Sequence, residues 1–362
     1  MQRIFNYGSF LQAYALKKLI EDFNCKVEFV DYHLGNSLIP VKTGKGFVRK
    51  CLKVIEVLKC HAPLKEKLHF IQYKKNYANN YYPLLGIGKE MNYTPKLDLL
   101  IIGSDEVFNC VQDNANVGFS PELFGVNNRA NRLISYAASF GNTTLEKLKK
   151  YEIEKQIAKW LLKFDALSVR DTNSKKIVEK LTNRKVICNY DPVLMYDFMN
   201  RCKEIPKEIP ESDYMILYGY SGRFTHSECK LIREYAKQKK IKIICIGGIQ
   251  HCCDKFIMCD PFEVIAYFQH AQCVVTDTFH GTILSIITHR KFATFVRENG
   301  YGNAEKLNDL LNHLELQDQM VNELGDLKKV IEKVINYEKI DKLIAEGRKN
   351  TEKYLSEQIV EI

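Results

Sequence analysis

Short apolar runs alternate with segments of helical periodicity along most of this chain. Apolar runs of about four to eight residues rich in Val, Ile and Leu are typical of buried strands, whereas apolar residues three and four positions apart indicate helices. Their regular alternation predicts parallel strands joined by helices, a doubly wound α/β fold. The predicted strands are 26–32, 97–102, 132–138, 166–169, 185–188, 214–218, 241–246, 273–276 and 292–296, and the predicted helices include 9–23, 145–163, 174–181, 226–239, 281–288 and 304–313.

A change in composition divides the chain. A strand pattern ends at Asp191-Pro192, and the charged residues 203–212 that follow contain Pro206 and Pro210. A chain of 362 residues is long enough for two domains. We therefore predict an N-terminal lobe over 1–195, a second lobe over 196–325 and a charged helical tail over 326–362.

Composition excludes several classes of protein. With 46% hydrophobic and 27% charged residues, the chain is neither disordered nor fibrous. It has no apolar run of the ~18 residues that a transmembrane helix needs, and its first residues lack the apolar stretch of a signal peptide, so we expect a cytoplasmic protein. The cysteine cluster Cys252, Cys253 and Cys259 beside His251 lacks zinc-site spacing, and we expect neither a metal nor a cofactor.

The net charge of +9 is concentrated in one segment. Residues 42–75 contain ten Lys or Arg and two Glu, and residues 47–59 have amphipathic helical spacing. Two interpretations stay open: a surface helix packed on its own domain, or a basic helix on the anionic inner face of a membrane. Nucleic acid is not expected as a partner, because the charge is local and no nucleic-acid motif accompanies it.

In parallel sheets, ligands bind beyond the carboxyl ends of the strands, where two candidate sites of the first lobe lie. Ser104 and Asp105 follow the predicted strand 97–102. Asp105 suits hydroxyl binding or general-base chemistry, although an Asp at a turn also caps helices. Arg170 emerges from the strand 166–169 just before a helix, where it suits a phosphate or carboxylate, or else an ion pair with a neighbouring acid.

The sharpest candidate follows the strand 273–276. There Thr278, His280, Gly281 and Thr282 open an apolar helix, so N–H groups that can hold an anion lie beside an imidazole that exchanges protons near neutral pH. A structural histidine is the alternative. Two further cations, Arg290 and Lys291, follow within a helix length and could add positive charge or form a solvated turn.

The chain start carries a fourth polar turn. Ser9 with Gln12 three residues later is typical of a capping box at the start of a helix. The polar residues of this turn are Asn6, Tyr7, Gly8 and Ser9.

Taken together, these segments resemble the polysaccharide pyruvyl transferase family. Each segment is a weak signal, but their order and joint presence are specific. The resemblance rests on Asn6-Tyr7-Gly8-Ser9-Phe10-Leu11-Gln12-Ala13-Tyr14-Ala15-Leu16, Val30-Asp31-Tyr32, Gly103-Ser104-Asp105-Glu106-Val107-Phe108-Asn109, residues 135–141, Ser168-Val169-Arg170-Asp171, Asp191-Pro192-Val193-Leu194 and Asp277-Thr278-Phe279-His280-Gly281-Thr282.

The resemblance implies two Rossmann-like lobes in a GT-B-like arrangement, with phosphoenolpyruvate as donor and a glycan hydroxyl pair, free or lipid-linked, as acceptor. It suggests His280 as general acid or phosphate partner, Arg170 as ligand of the donor anion, Arg290 or Lys291 as auxiliary phosphate contacts, and Asp105 as base or ligand for the acceptor hydroxyl. The other candidate substrate contacts are Ser104, Thr278, Gly281, Thr282, Asn6, Tyr7, Gly8 and Ser9.

The chain departs from the family pattern at three places. Only residues 1–5 stand where relatives carry an apolar strand before the Asn-Tyr-Gly turn, so we expect the first strand to be shortened or missing. Glu106 and Phe108 replace Gln and Trp, and Lys306 replaces Arg. Two other functions remain as alternatives: a GT-B glycosyltransferase that uses a nucleotide sugar, and a non-catalytic glycan-binding or membrane-surface relative.

Overall fold

The protein is described by a computed structural model that covers residues 2–40, 64–112, 114, 116–297 and 304–359, with the side chains of 64–69 left out. The amphipathic segment 47–59 lies outside these residues. The described helices are α1 (Tyr7–Glu21), α2 (Leu64–Leu85), α3 (Leu145–Lys150), α4 (Glu154–Leu161), α5 (Thr172–Thr182), α6 (Pro192–Met195), α7 (Phe198–Arg201), α8 (His226–Lys239), α9 (Pro261–His270), α10 (Phe279–Ile287), α11 (Ala304–His313), α12 (Leu327–Glu332) and α13 (Tyr337–Ile359). The described strands are β1 (Lys96–Asp105), β2 (Arg129–Ala138), β3 (Ser168–Val169), β4 (Ile187–Cys188), β5 (Tyr214–Tyr218), β6 (Lys242–Ile246), β7 (Lys255–Ile257), β8 (Cys273–Thr276) and β9 (Lys291–Thr294).

The first sheet is parallel and has the order β1-β2-β3-β4. Its longest ladder joins β1 to β2, with Leu100 beside Leu133. Aromatic side chains fill the core on one face, where Phe108 stacks on Phe124 at 4.7 Å between ring centroids and Trp160 lies 5.3 Å from Phe124. This core fixes the polar segments that follow the strands.

The second sheet is also parallel and has the order β7-β6-β5-β8-β9. Its first strand, β5, lies in the middle with β6 on one side and β8 on the other, and every residue of β5 is buried. This is the order of a Rossmann sheet, and its topological switch point lies between β5 and β8. The expected α/β class with two Rossmann-like lobes is confirmed.

The C-terminal helix returns to the first lobe. Tyr354 of α13 donates a hydrogen bond to the carbonyl of Ser135 at 2.6 Å, and Thr351 lies 3.1 Å from the Tyr136 hydroxyl. The tail therefore packs against the first sheet. The exact division at residues 195 and 325 stays a prediction.

Several elements differ from the sequence prediction. Residues 26–32 form no strand; of these residues Asp31 alone forms a parallel bridge, with Tyr93. Residues 2–5 are turn and bend. The predicted helix 145–163 is two helices, because Glu152 adopts a left-handed φ of 56° between α3 and α4. The helices α2 and α9 and the strand β7 were not predicted.

Candidate functional site

The carboxyl ends of the two sheets face each other, and two predicted site residues meet there. Arg170 follows β3 of the first sheet, and its guanidinium lies 4.9 Å from the ring centroid of Phe279 in the second lobe. His280 is the next residue, in the first turn of α10. The arrangement of two lobes with their strand ends opposed is that of a GT-B fold.

Asp191 joins the two lobes at this point. Its side chain is fully buried and accepts hydrogen bonds from Gln12 Nε2 at 2.5 Å and from Arg170 Nη1 at 3.0 Å. Its Oδ2 atom lies 3.7 Å from Nε2 of His280. Burial raises the pKa of this carboxyl, but His280 and Arg170 outweigh burial and lower the pKa below its usual range.

The charge of Arg170 is balanced by two carboxylates. Besides Asp191, its Nη2 atom donates to Asp105 Oδ1 at 3.0 Å, and only 2% of its side chain is exposed. Burial raises the pKa of Asp105, but the charges of Arg170, Lys306 and His280 lower it overall. Glu106 and Asp171 add further negative charge near Arg170, and Glu106 also pairs with Lys306. Arg170 is therefore an ion-paired arginine in this closed arrangement.

His280 lies between Asp191 and the first turn of α1. Its Nε2 atom is buried and has no hydrogen-bond partner among the described residues. A Cβ atom added at Gly8 would lie 2.2 Å from Nδ1 of His280, so only glycine lets α1 approach this closely. The imidazole is thus confined on both sides.

The residues around His280 shape the start of α10. Thr278 is the N-cap, and its Oγ1 accepts a hydrogen bond from the Gly281 N–H at 3.0 Å. A Cβ at Gly281 would lie 2.2 Å from Thr276 Oγ1, and the Thr282 hydroxyl donates to the Thr278 carbonyl. In this arrangement Gly281 and Thr282 stabilise the first turn of α10. They contribute to the site only as part of the helix N-terminus.

The first turn of the chain contacts the second lobe. Asn6 Nδ2 donates to the Tyr220 hydroxyl at 2.8 Å, and the Tyr7 hydroxyl donates to the Cys259 carbonyl at 3.0 Å. Asn6, and not Ser9, is the N-cap of α1, because its side chain accepts from the Ser9 N–H at 3.1 Å. The predicted capping box of Ser9 and Gln12 is therefore wrong, since Ser9 lies within the helix.

Glu106 and Lys306, two departures from the family pattern, pair with each other across the lobes. Lys306 Nζ lies 2.6 Å from Glu106 Oε1, and both side chains are 18% exposed. Glu106 supplies the negative charge of this pair and Lys306 the positive charge. The two substitutions therefore make one interlobe ion pair.

Three candidate residues do not join the site in this structure. Lys291 pairs with Cys273 at the amino end of β8, which is the end of the sheet opposite His280. Arg290 precedes it and donates to the Thr288 carbonyl at 3.0 Å. The buried Ser104 hydroxyl donates to the Ala137 carbonyl at 2.9 Å. Sequence spacing could not exclude Arg290 and Lys291, because it does not show at which end of the sheet a helix-to-strand turn lies.

A second ionic cluster, which the sequence analysis missed, lies beyond the second sheet. Asp277 lies 2.7 Å from Nε of Arg223 and 3.2 Å from Nε of Arg297, and Arg297 also binds Glu228 of α8. Burial raises the pKa of Asp277 in spite of the two arginines. The available signal was the position of Arg223 and Arg297 just after β5 and β9, where polar residues reach the same edge as His280.

Comparison with known proteins identifies the family. The family profile described as polysaccharide pyruvyl transferase matches residues 6–299. The chain belongs to the polysaccharide pyruvyl transferase family. The resemblance seen in the sequence is confirmed, and the matched range includes Arg170, Asp191 and His280. No curated protein matches the chain significantly.

Solved structures of other families show distant similarity to this pyruvyl transferase family member. UDP-GlcNAc 2-epimerase from Neisseria meningitidis has 12% identity and a TM-score of 0.43, covering 96% of this chain and 88% of its own. A trehalose-phosphate synthase from Burkholderia xenovorans has 9% identity and a TM-score of 0.41, with 80% and 78% covered. An O-GlcNAc transferase from Thermobaculum terrenum has 9% identity and a TM-score of 0.39; 73% of this chain is covered, but the match spans only 52% of that chain.

No described helix has both the length and the hydropathy needed to cross a bilayer. Within the same residues, no group of three or more His, Cys, Asp or Glu is arranged to hold a metal ion. The basic segment 42–75 lies mostly outside the described residues; within its described part, Lys74 lies 4.6 Å from the Phe70 ring centroid.

Proposed function

We propose that this chain transfers a pyruvyl group from phosphoenolpyruvate to two hydroxyls of a sugar in a cell-surface polysaccharide or its lipid-linked precursor, forming a cyclic ketal. The family match supports this class of reaction. The observation that carries the proposal is the meeting of Arg170 and His280, from opposite lobes, around Asp191 at the start of α10. An imidazole and a guanidinium at a helix N-terminus suit a small phosphorylated acid.

The reaction needs one proton donor and two hydroxyl nucleophiles. Carbon 3 of phosphoenolpyruvate takes up a proton and becomes the methyl group, which leaves carbon 2 as an oxocarbenium-like centre. One sugar oxygen bonds to carbon 2, the bond from carbon 2 to the phosphate oxygen breaks, and the second sugar oxygen takes its place. Of the two hydroxyl protons released, one replaces the proton used and the other leaves with phosphate.

His280 is the proton donor in this proposal. Asp191 Oδ2 lies 3.7 Å from its Nε2 atom, so the carboxylate is placed to orient the imidazole. The backbone at Gly8 packs against the other side of the ring, so the imidazole of His280 keeps one orientation. Thr278 and the first N–H groups of α10 face the phosphate.

Asp105 has two successive roles. In the closed arrangement it neutralises Arg170, and its lowered pKa makes it a weak base. When the donor's carboxylate or phosphate takes its place on Arg170, the pKa of Asp105 rises because it has lost its cation. Asp105 then accepts a proton from the acceptor hydroxyl. Donor binding thereby prepares the base for the acceptor.

The test is incubation with phosphoenolpyruvate and a panel of cell-surface oligosaccharides, following phosphate and new acidic product together. His280→Ala should lower turnover by about a hundredfold or more, as expected for loss of a general acid. The matched control is His289→Ala, since His289 is half exposed and pairs with Asp341 on the surface. If His280→Ala keeps full turnover, the assignment is wrong.

Arg170→Lys should raise the KM for phosphoenolpyruvate more than it lowers kcat, because lysine cannot replace the two-pronged contact. Its control is Arg201→Lys, a surface arginine paired with Asp22 at 2.6 Å. Release of a nucleotide from a sugar donor would instead support a glycosyltransferase. Acceptor binding without turnover of either donor would support a non-catalytic relative.

We also propose that the basic segment 42–75 brings the protein to an anionic membrane surface on the cytoplasmic side, where a lipid-linked acceptor is found. Ten basic residues against two acids in that segment support this. Co-sedimentation with liposomes should increase with the fraction of anionic lipid. Sedimentation that does not change with anionic lipid contradicts it.

A further inference from the structure

Tyr220 combines solvent exposure with a fixed position. It follows β5 at the carboxyl end of the second sheet, the edge at which His280 also lies, and it is 53% exposed. Long side chains on a surface usually move freely, but the backbone and the ring of this tyrosine are both held by neighbours. An exposed aromatic ring in a fixed position at this edge of a parallel sheet is typical of a ligand site.

The turn that carries Tyr220 is held by a buried glutamine. Nε2 of Gln250 donates to the Tyr220 carbonyl at 2.8 Å, and Oε1 of Gln250 accepts from the Arg223 N–H at 3.2 Å. A Cβ atom added at Gly248 would lie 2.2 Å from the Ser221 nitrogen, so the turn after β6 packs directly against this one. The ring of Tyr220 therefore projects from a rigid piece of backbone.

Two contacts orient the ring itself. The Tyr220 hydroxyl accepts a hydrogen bond from Asn6 Nδ2 at 2.8 Å, which links the ring to the start of α1. The Arg223 guanidinium lies over the ring, 5.5 Å from its centroid, and Arg223 is itself paired with Asp277 at 2.7 Å. Because this cation occupies one face, the exposed part of Tyr220 is mainly the opposite face and the edge of the ring.

The exposed face of Tyr220 lies in a recess beside the candidate site. Burial by the surrounding protein raises the pKa of its hydroxyl, although the residue stays accessible to solvent. The negative charges of Asp105 and Glu106 raise this pKa further, so both carboxylates lie near the ring. Two residues after Asn6, Gly8 packs against His280. The ring is therefore a wall of the cleft that contains Asp105 and His280.

We propose that Tyr220 is the platform on which one pyranose ring of the glycan acceptor stacks, with sugar hydroxyls directed to Asp105 and Glu106. This inference rests on the proposed function, in which the acceptor is a sugar, and it adds the residue that binds that sugar. The C–H bonds on a pyranose face form an apolar surface with partial positive charge, which packs on the negative face of an aromatic ring. The carboxylates accept hydrogen bonds from hydroxyls at the edge of the same sugar.

The platform places the acceptor next to the proposed base. Asp105 bonds to Arg170, the proposed ligand of the donor, and also lies near Tyr220. A hydroxyl of a sugar stacked on Tyr220 thereby approaches the carboxylate that accepts its proton. A nucleobase also stacks on tyrosine, but a nucleotide would bring phosphate charge toward Asp105 and Glu106, whereas a sugar brings hydroxyl donors. The charges near the ring therefore favour a sugar.

Kinetics with the oligosaccharide acceptor test the platform. Tyr220→Ala should raise the KM for the acceptor by about tenfold or more, while the KM for phosphoenolpyruvate should change by less than about twofold, because the donor does not contact the ring. Tyr220→Phe keeps the ring but loses the hydrogen bond to Asn6, so its acceptor KM should stay within about threefold of the parent value. Because Tyr220 is exposed, neither variant leaves a cavity in the core.

The matched control is Tyr151→Ala, at an exposed tyrosine that ends α3. It should leave both KM values unchanged. If Tyr220→Phe is as impaired as Tyr220→Ala, the residue acts through its hydroxyl and the platform is wrong.

Binding without turnover provides an independent test. The probes are the methyl β-glycosides of glucose, galactose and mannose, and the matched control is glucitol, an open-chain polyol that has no ring face. In saturation-transfer difference NMR with irradiation of aromatic protons, at least one glycoside should receive saturation at its ring C–H protons, and glucitol should receive little. This signal should fall by about fivefold or more in Tyr220→Ala and persist in Tyr220→Phe.

The outcomes separate the platform from the proposed reaction. Glycoside binding that depends on Tyr220, without any pyruvyl transfer, would support the platform and contradict the reaction. Pyruvyl transfer with an unchanged acceptor KM in Tyr220→Ala would support the reaction and overturn the platform. Saturation of uridine monophosphate that Tyr220→Ala abolishes, with none of the glycosides, would overturn the platform in favour of a nucleotide site.

Discussion

The two sheets of this protein differ in how their first strands are paired. In the second lobe β5 has neighbours on both sides, and all its residues are buried. In the first lobe β1 is twice as long but has one neighbouring strand among the described residues, and much of its apolar surface is partly exposed. Both strands end at the interlobe site. The site therefore combines His280, which follows β8 in the sheet centred on β5, with Asp105, which is the last residue of β1.

The largest predicted effect compares these two strands directly. Ile216→Ala in β5 should lower the free energy of unfolding by about 2–5 kcal/mol, because it leaves a cavity in a fully buried sheet. Leu100→Ala in β1 should cost about 1 kcal/mol, since that side chain is only partly buried and lines a cavity of about 520 Å³ beside β1. Denaturant unfolding of both variants measures the difference. Equal losses would mean that β1 is as well supported as β5.

The second prediction concerns the contact between α1 and His280. Gly8→Ala should lower turnover by about 10- to 100-fold, because the new methyl group displaces an imidazole that lies 2.2 Å from its position. Gly88→Ala is the matched control, since a Cβ there has no neighbour within 4 Å. Steady-state kinetics of the two variants test this. A Gly8→Ala enzyme with the control's kcat would show that the contact does not fix the ring.

The third prediction uses the opposite pKa shifts of Asp105 and Asp191 in the first lobe and of Asp277 in the second. Because the pKa values of Asp105 and Asp191 are lowered, these carboxylates stabilise the fold above about pH 4. Their contribution of about 1–3 kcal/mol is lost as the pH falls through their lowered pKa values. The pKa of Asp277 is raised, so its ionisation opposes folding at neutral pH and this penalty disappears in acid.

Urea unfolding as a function of pH tests whether these carboxyls contribute to stability with opposite signs. Below pH 4 the stability of Asp105→Asn should fall less steeply than that of the parent protein, since one stabilising carboxylate is gone. The Asp277→Asn protein should still lose the whole stabilising contribution of Asp105 and Asp191 as the pH falls. If both variants follow the parent curve, neither carboxyl contributes as the structure indicates.

The smallest predicted effect concerns the ion pair between the lobes. Lys306→Met should cost about 0.5–1 kcal/mol, because the pair with Glu106 is largely but not fully shielded from water. The matching variants are Glu106→Gln and the protein that carries both Glu106→Gln and Lys306→Met, so that each single change removes the pair. A double-mutant cycle on thermal unfolding measures the coupling. Strict additivity would show that the two residues act independently.

Much of the fold could be predicted from local patterns. The bounds of α8 and α11 match the prediction, and α8 begins at a capping box of Thr225 and Glu228. The helix periodicity and cap residues are local, so sequence alone carries them. Residues 26–32 have a strand pattern but form no ladder, because a strand also needs a neighbour, and pairing is not encoded in the segment itself.

The same limit applies to the candidate site, because contacts between residues far apart in the chain are not encoded in a local segment. Arg170 and His280 could be predicted because each follows an apolar strand, and ligands collect at that end of parallel sheets. The role of Asp191 could not, since its three contacts come from Gln12, Arg170 and His280, which lie far apart in the chain. Similarly, Glu106 and Lys306 are each unusual alone and make sense only once they are seen as a pair.

The nearly complete enclosure of Arg170 has a kinetic consequence. With 2% of its side chain exposed, this guanidinium cannot meet a dissolved anion until the lobes separate. Any small anion that binds it must wait for a minor open population, and its apparent dissociation constant is the intrinsic one divided by that population. Substitutions that weaken contacts between the lobes, such as the ion pair of Glu106 and Lys306, would therefore tighten apparent binding without touching the ligand.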